Sequence, residues 1–130
     1  MPTARDEREP ARWPVRPIPA ALRERYLARG WWTDDTLGAL VDRSLGATPA
    51  AAVHVWSETR AWHGTYAEVH AEARRLLAVL RAAGLEPGDA IAFQLPNWLE
   101  AAATFYAIAY LGAVVVPIVH FYGPRRSRTS

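Results

Sequence analysis

The stretch that decides the fold is residues 90–119, AIAFQLPNWLEAAATFYAIAYLGAVVVPIV. Residues 90–95 predict a strand, and the β-rich run at 113–119 predicts a second one. Between them, Asn97 is expected to cap a helix that stops at Gly112. A strand, a helix and a strand within about 30 residues predict a βαβ unit with parallel strands, and therefore an α/β fold.

A longer helix is predicted immediately upstream. Residues 65–68, Thr-Tyr-Ala-Glu, have the capping-box pattern, in which the Thr65 side chain accepts a bond from a first-turn amide and Glu68 reaches back. Gly84 supplies the stop, and residues 86–89 predict a turn. An apolar stripe at helical spacing connects the two ends of this helix: Val69, Ala73, Leu76, Leu77 and Leu80.

The first half of the chain carries weaker signals. Residues 1–30 predict an extended, proline-rich arm that includes a short helix at 20–29. Thr33 is expected to cap a second helix, whose apolar positions recur up to a stop at Gly46. Residues 52–56 and 61–64 predict the two strands of a short hairpin.

Composition excludes several classes of function. The 130 residues contain no cysteine, so neither a disulfide framework nor thiolate chemistry is expected. All 15 basic residues are arginine, and the net charge is only +2. Because the acidic residues are interspersed with the arginines, nucleic-acid binding is not indicated. Residues 1–19 do not have the pattern of a secretory signal, and a cytoplasmic location is expected.

One alternative is a membrane span. Residues 101–119 contain no charged side chain, and their length approaches that of a spanning helix. Gly112 falls where a helix would stop, and the valine run with Pro117 suits a strand better. No membrane span is therefore expected, and a small membrane protein stays the less favoured alternative.

The sequence assigns no catalytic, cofactor-binding or metal-ligating residue. The Gly84–Gly88 segment follows a helix, whereas a phosphate loop follows a strand, so a helix cap and a turn are the preferred interpretation. Ser57 lacks the setting of an activated nucleophile. The arginine pairs at 74–75 and 125–126 are interpreted as solvated faces. Spacing alone gives weak support for zinc at the four histidines, His54, His63, His70 and His120.

Four segments in order resemble the AMP-dependent synthetase/ligase family of adenylate-forming enzymes. Residues 65–69 resemble its T-Y-x-E-L segment, and residues 84–92 resemble its GL-x-x-GD-x-VA passage. Residues 93–100 resemble its LPN…E strand and helix, and residues 109–118 its GA-x-x-x-P strand. The resemblance covers residues 31–124 and is nearest to acyl-CoA synthetases of fatty or cyclic carboxylic acids.

The resemblance implies the amino-terminal portion of a large parallel-sheet domain. It also implies a family reaction that uses ATP, magnesium and coenzyme A to convert a carboxylic acid into an acyl-adenylate and then a thioester. The family's Ser/Thr/Gly-rich phosphate loop, ribose-binding acidic residue, hinge and catalytic lysine have no counterpart in these residues. We therefore expect an incomplete portion that binds none of these cofactors and does not catalyse the reaction alone, with residues 125–130 as an aberrant basic tail.

A second alternative is a non-catalytic module that binds a protein partner. The apolar run at residues 114–119 is followed by few further residues, so an uncovered strand is expected there. An uncovered apolar strand is a template for pairing with another chain. If these residues are instead an incomplete portion of the synthetase domain, self-association through the exposed sheet is predicted.

Overall fold

The computed structural model describes residues 17–119, which fall into two units, 17–35 and 36–119. The first unit contains helix α1, Ala20–Ala28, which ends as predicted before Gly30, whose φ is +67°. The ring of Tyr26 contacts Trp31 at 5.5 Å and Trp32 at 5.0 Å between ring centroids. Most of the predicted amino-terminal arm lies outside the described residues.

The second unit contains three helices and four strands. In chain order they are α2 (Leu37–Ala47), β1 (Ala52–Val55), β2 (Trp62–Thr65), α3 (Tyr66–Ala82), β3 (Ala90–Phe93), α4 (Leu99–Leu111) and β4 (Val114–Pro117). Strands β1 and β2 pair antiparallel, and β3 and β4 pair parallel. The predicted hairpin and the predicted βαβ unit are both confirmed.

Helix α3 begins and ends as its sequence predicts. The amide of Glu68 donates to Thr65 Oγ1 at 3.4 Å, and the Thr65 amide donates to Glu68 Oε2 at 2.7 Å, which completes the capping box. At the other end, Gly84 has a φ of +83°. The Leu85 amide then donates back to the Leu80 carbonyl, which satisfies one of the last carbonyls of the helix.

The core of this unit lies between α2, α3 and α4. Its buried side chains are mostly small on α4 and larger on α3, so the two helices approach closely. Gly38 of α2 lies against the backbone of α4, where a Cβ atom would fall 2.5 Å from the Ala109 carbonyl oxygen. The buried hydrophobic residues are Leu45, Val69, Ala73, Leu77, Ala103, Ala107, Ile108, Ala109 and Leu111.

The uncharged stretch that raised the membrane alternative is divided between two elements. It contains most of α4, which has 13 residues, and then β4. Within residues 17–119, no helix has both the length and the apolar character that crossing a membrane requires.

The cap predicted for α2 was wrong. Thr33 Oγ1 instead accepts the amide of Asp35 at 3.3 Å in a local turn, and Thr36 Oγ1 caps the helix by accepting the Ala39 amide at 3.1 Å. The predicted stop at Gly46 was also wrong. The helix continues to Ala47 and ends where Thr48 leaves helical geometry, directly before Pro49.

The cap predicted for α4 was wrong by one residue. Trp98 occupies the cap position and makes no side-chain cap bond, while its carbonyl accepts the amides of Ala101 and Ala102. Asn97 is exposed outside the helix. The indole of Trp98 donates a hydrogen bond to Ser57 Oγ at 3.3 Å, a contact between residues that are distant in sequence.

Candidate functional site

An apolar groove lies where the parallel strands β3 and β4 end. Its volume is about 560 Å³, and it is bordered by the carboxyl ends of both strands and the first turns of α4. In open α/β sheets this edge is the usual place for a ligand. The lining includes Val55, Phe93, Trp98, Phe105, Pro117 and Val119.

The lining of the groove determines what it can bind. None of its eleven residues has an ionisable side chain, and Asn97 is its one amide side chain. The groove can therefore hold an apolar group or an apolar segment of protein, because burying either removes hydrocarbon surface from water. It offers no proton donor or acceptor suited to acid–base catalysis.

A polar cluster joins the hairpin turn to the start of α4 beside this groove. Ser57 Oγ accepts bonds from the Arg60 amide at 3.1 Å and from Trp98 Nε1 at 3.3 Å. The Arg60 guanidinium lies 5.0 Å from the centroid of the Trp98 ring and pairs with the carboxylate of Glu100. Spacing could not reveal this cluster, because Ser57 and Trp98 are 41 residues apart.

Strand β4 leaves much of its apolar surface accessible. The exposed fractions are 50% for Val114 and 39% for Val116, and 44% for Ile118, which directly follows the strand. The uncovered strand expected from the sequence is present, and it continues the apolar surface of the groove.

The Gly84–Gly88 segment is a helix cap followed by a turn. The Gly84 amide donates to the Arg81 carbonyl, and the Gly88 amide donates to the Gly112 carbonyl, both at 3.0 Å. The amide of Glu86 donates to Asp89 Oδ2 at 2.8 Å. Because these amides are bonded within the protein, the segment does not provide the free donors that hold a phosphate.

The glycine-rich segment at residues 84–88 does not form a site for the phosphates of ATP. A phosphate cradle needs several free amides at a helix start, and the one glycine-rich segment within residues 17–119 uses its amides internally. The same residues contain no group of three or more histidine, cysteine, aspartate or glutamate side chains that could hold a metal ion.

His70 lies in a separate cluster between α2 and α3. Its Nε2 is 3.1 Å from Asp42 Oδ1 and accepts a bond of 2.6 Å from Arg74 Nε. Arg74 also pairs with Asp42, so this arginine supports helix packing, and the neighbouring Arg75 pairs with Glu72 at 2.7 Å. Residues 125 and 126, the other arginine pair considered from the sequence, lie outside the described residues.

The hydroxyl oxygen of Tyr110 is buried beside the same cluster. The hydroxyl has no hydrogen-bond partner among the described residues. Burial raises the pKa of the Tyr110 phenol above its usual value of 10.0, and the Asp42 carboxylate raises it further, while the Arg74 guanidinium lowers it. The phenol is therefore kept neutral, and it borders an open cavity of about 270 Å³ that Asp42 and Arg74 also line.

The remaining histidines fall into two groups. His54 and His63 lie directly opposite each other in the hairpin, on its exposed face. His120 lies outside the described residues. Helical spacing could not indicate the pairing of His54 with His63, because two different strands bring them together.

Comparison with known proteins identifies the family. The family model for AMP-binding enzymes matches residues 41–129, which is more than half of the chain. A salicyl-AMP ligase / salicyl-S-ArCP synthetase of Mycobacterium tuberculosis is 32% identical over 102 residues, covering 77% of this chain and 18% of that protein. A long-chain-fatty-acid–CoA ligase of the same organism is 48% identical over 54 residues, covering 42% of this chain and 11% of that protein.

A solved structure shares the fold. The apo structure of MbtA from Mycobacterium smegmatis matches with a TM-score of 0.72 and 29% identity, over 82% of this chain and 20% of that one. The chain therefore spans about a fifth or less of the length of these relatives. On the match over residues 41–129, the chain belongs to the AMP-binding enzyme family.

Proposed function

We propose that this chain forms the amino-terminal segment of an ATP-dependent acid ligase and that these residues do not catalyse the reaction alone. The observation that carries the proposal is the family match over residues 41–129, which extends from within α2 past the end of β4. In the proposed reaction of the complete enzyme, the carboxylate attacks ATP to form an acyl-adenylate with release of pyrophosphate, and a thiol then takes the acyl group as a thioester with release of AMP.

We also propose which acids and which thiol the complete enzyme uses. The relatives include a salicyl-AMP ligase and a long-chain-fatty-acid–CoA ligase, so both a cyclic and a fatty acid are candidates. We favour coenzyme A as the acceptor, with ATP and magnesium bound by residues other than those described. We expect the reaction to take place in the cytoplasm.

The role proposed for this segment is structural. The groove and the exposed face of β4 supply apolar surface against which further elements of a larger domain would pack. Burying that surface is favourable by about 25 cal/mol for each Å² removed from water. The segment would therefore contribute to the stability of the domain, while charge on the transferring phosphates would be stabilised elsewhere.

The test is pyrophosphate release by the isolated chain, measured with ATP, magnesium and a panel of fatty and aromatic acids. We expect no release above that of a mock preparation from cells that lack the chain. The reason is that the 130 residues contain no lysine, and the glycine-rich segment at 84–88 offers no free amides. Acid-dependent release that co-purifies with the chain and exceeds the mock preparation would overturn the proposal.

A second candidate function is that of a protein-binding module. The observation that favours it is the exposed apolar surface of β4 next to the groove. The oligomeric state separates the two candidates. A cooperatively folding monomer that stays monodisperse in high salt would favour the module, whereas salt-enhanced association would favour a segment that lacks its covering elements.

A further inference from the structure

The exposed face of the hairpin carries three neighbouring aromatic side chains that the proposed function does not use. His54 of β1 and His63 of β2 have ring centroids 4.7 Å apart. Trp56 follows β1, is 82% exposed, and lies 6.2 Å from His54 and 6.0 Å from His63 between centroids. All three side chains are therefore accessible from solvent.

The strand register brings the two imidazoles close together. The Tyr66 amide donates to the Ala51 carbonyl, which makes positions 51 and 66 a hydrogen-bonded pair. Hydrogen-bonded and non-hydrogen-bonded pairs alternate along an antiparallel ladder. His54 and His63, three pairs further along, therefore form a non-hydrogen-bonded pair, the type in which the side chains lie closer.

The separation of the rings suits a shared metal ion. With metal–nitrogen bonds of about 2.1 Å, two imidazoles on adjacent positions of one metal have ring centroids roughly 4.5 to 5.2 Å apart. The observed 4.7 Å falls within this interval, so small rotations of the side chains can bring one nitrogen of each ring to the ion.

We propose that His54 and His63 form a two-histidine chelate for a late first-row divalent metal ion, with water in the remaining positions. Imidazole nitrogen is a good ligand for copper, nickel and zinc. A site of this kind binds Cu²⁺ more tightly than Ni²⁺ or Zn²⁺. Once one imidazole binds the ion, the paired strands β1 and β2 hold the second imidazole at high effective concentration. The two rings together therefore bind the ion more tightly than either ring alone.

The experiment is titration of the untagged chain with Ni²⁺ by calorimetry, together with Cu²⁺ electron paramagnetic resonance. We expect one ion per chain and a copper spectrum that shows two coordinated imidazole nitrogens. His54→Thr and His63→Thr should each weaken Ni²⁺ binding roughly tenfold or more, since either change removes the chelate. Threonine is chosen because it suits an exposed strand position, so these variants should keep the fold.

The matched control is His70→Gln, which removes an imidazole from the separate cluster on α3. This variant should bind Ni²⁺ as the parent does. Trp56→Phe should also bind unchanged, which would show that the tryptophan lies beside the site without ligating the metal. Equal Ni²⁺ affinity in the parent and His54→Thr would overturn the proposal, and so would a copper spectrum with a single imidazole nitrogen in the parent.

Discussion

The contact between α2 and α4 leads to the most discriminating prediction about stability. A Cβ atom on Gly38 would lie 2.5 Å from the Ala109 carbonyl oxygen and 3.1 Å from Tyr110 Cα. Both are backbone atoms of α4, so no side chain can rotate to make room. The substitution Gly38→Ala therefore requires α2 to move away from the core.

The net change in the free energy of unfolding is the difference between the cost of overpacking and the gain in helix propensity. Overpacking in a core costs about 1–3 kcal/mol, and the rigid backbone neighbours place Gly38→Ala at the upper end of that interval. Alanine is favoured over glycine inside a helix by about 1 kcal/mol, which offsets part of the cost. The free energy of unfolding should therefore fall by about 2 kcal/mol.

Gly46 provides a matched control in the same helix. A Cβ atom there would meet nothing within 4 Å, so Gly46→Ala keeps the helical gain without the clash. We expect its free energy of unfolding to rise by about 0.5–1 kcal/mol. The assay is urea unfolding followed by far-ultraviolet circular dichroism, with the denaturant slope compared across all three proteins. If Gly38→Ala is as stable as Gly46→Ala, the close approach of α2 to α4 is refuted.

Three further predictions concern the same unit. Thr65→Ala should lower the free energy of unfolding by about 1 kcal/mol, because the Glu68 amide loses its cap, and an unchanged urea midpoint would rule out Thr65 as the cap. Tyr110→Phe should be neutral or stabilising by up to about 1 kcal/mol, because the buried hydroxyl has no partner. The pKa of the Tyr110 phenol is raised in the folded state, so folding favours the protonated phenol. This stabilising effect is fully present below pH 10.0 and is lost as the pH rises through the folded-state pKa. The parent should therefore lose more stability than Tyr110→Phe in alkaline unfolding experiments. The exposed strand β4 should drive self-association that increases in high salt, measured by light scattering at micromolar concentration, and a salt-independent monomer would contradict this.

Structural features that depend on residues close together in the sequence were predictable. The capping box at Thr65, the glycine stop at Gly84 and the change of periodicity between α4 and β4 each depend on neighbours in the sequence. The structure contains all three. For the same reason the ordered motifs were sufficient to indicate the family.

Features that depend on distant residues were missed. The bond between Trp98 and Ser57 joins the start of α4 to the hairpin turn, and the contact at Gly38 depends on the backbone of α4. The imidazole pair forms only when β1 and β2 align in one register. Spacing within one element carries no information about any of these contacts. The groove was missed for the same reason, since its walls come from three separate parts of the chain.

We propose above that this chain supplies the structural amino-terminal segment of an acid ligase. The most direct measurement is salicylate-dependent pyrophosphate release by a chimera, in which residues 36–119 replace the corresponding segment of the salicyl-AMP ligase of Mycobacterium tuberculosis. We predict that the chimera releases pyrophosphate with salicylate, because the replaced segment contributes packing and the rest of the enzyme contributes the chemistry. A chimera whose circular dichroism and cooperative unfolding match those of the parent ligase, but which releases no pyrophosphate, would contradict the claim.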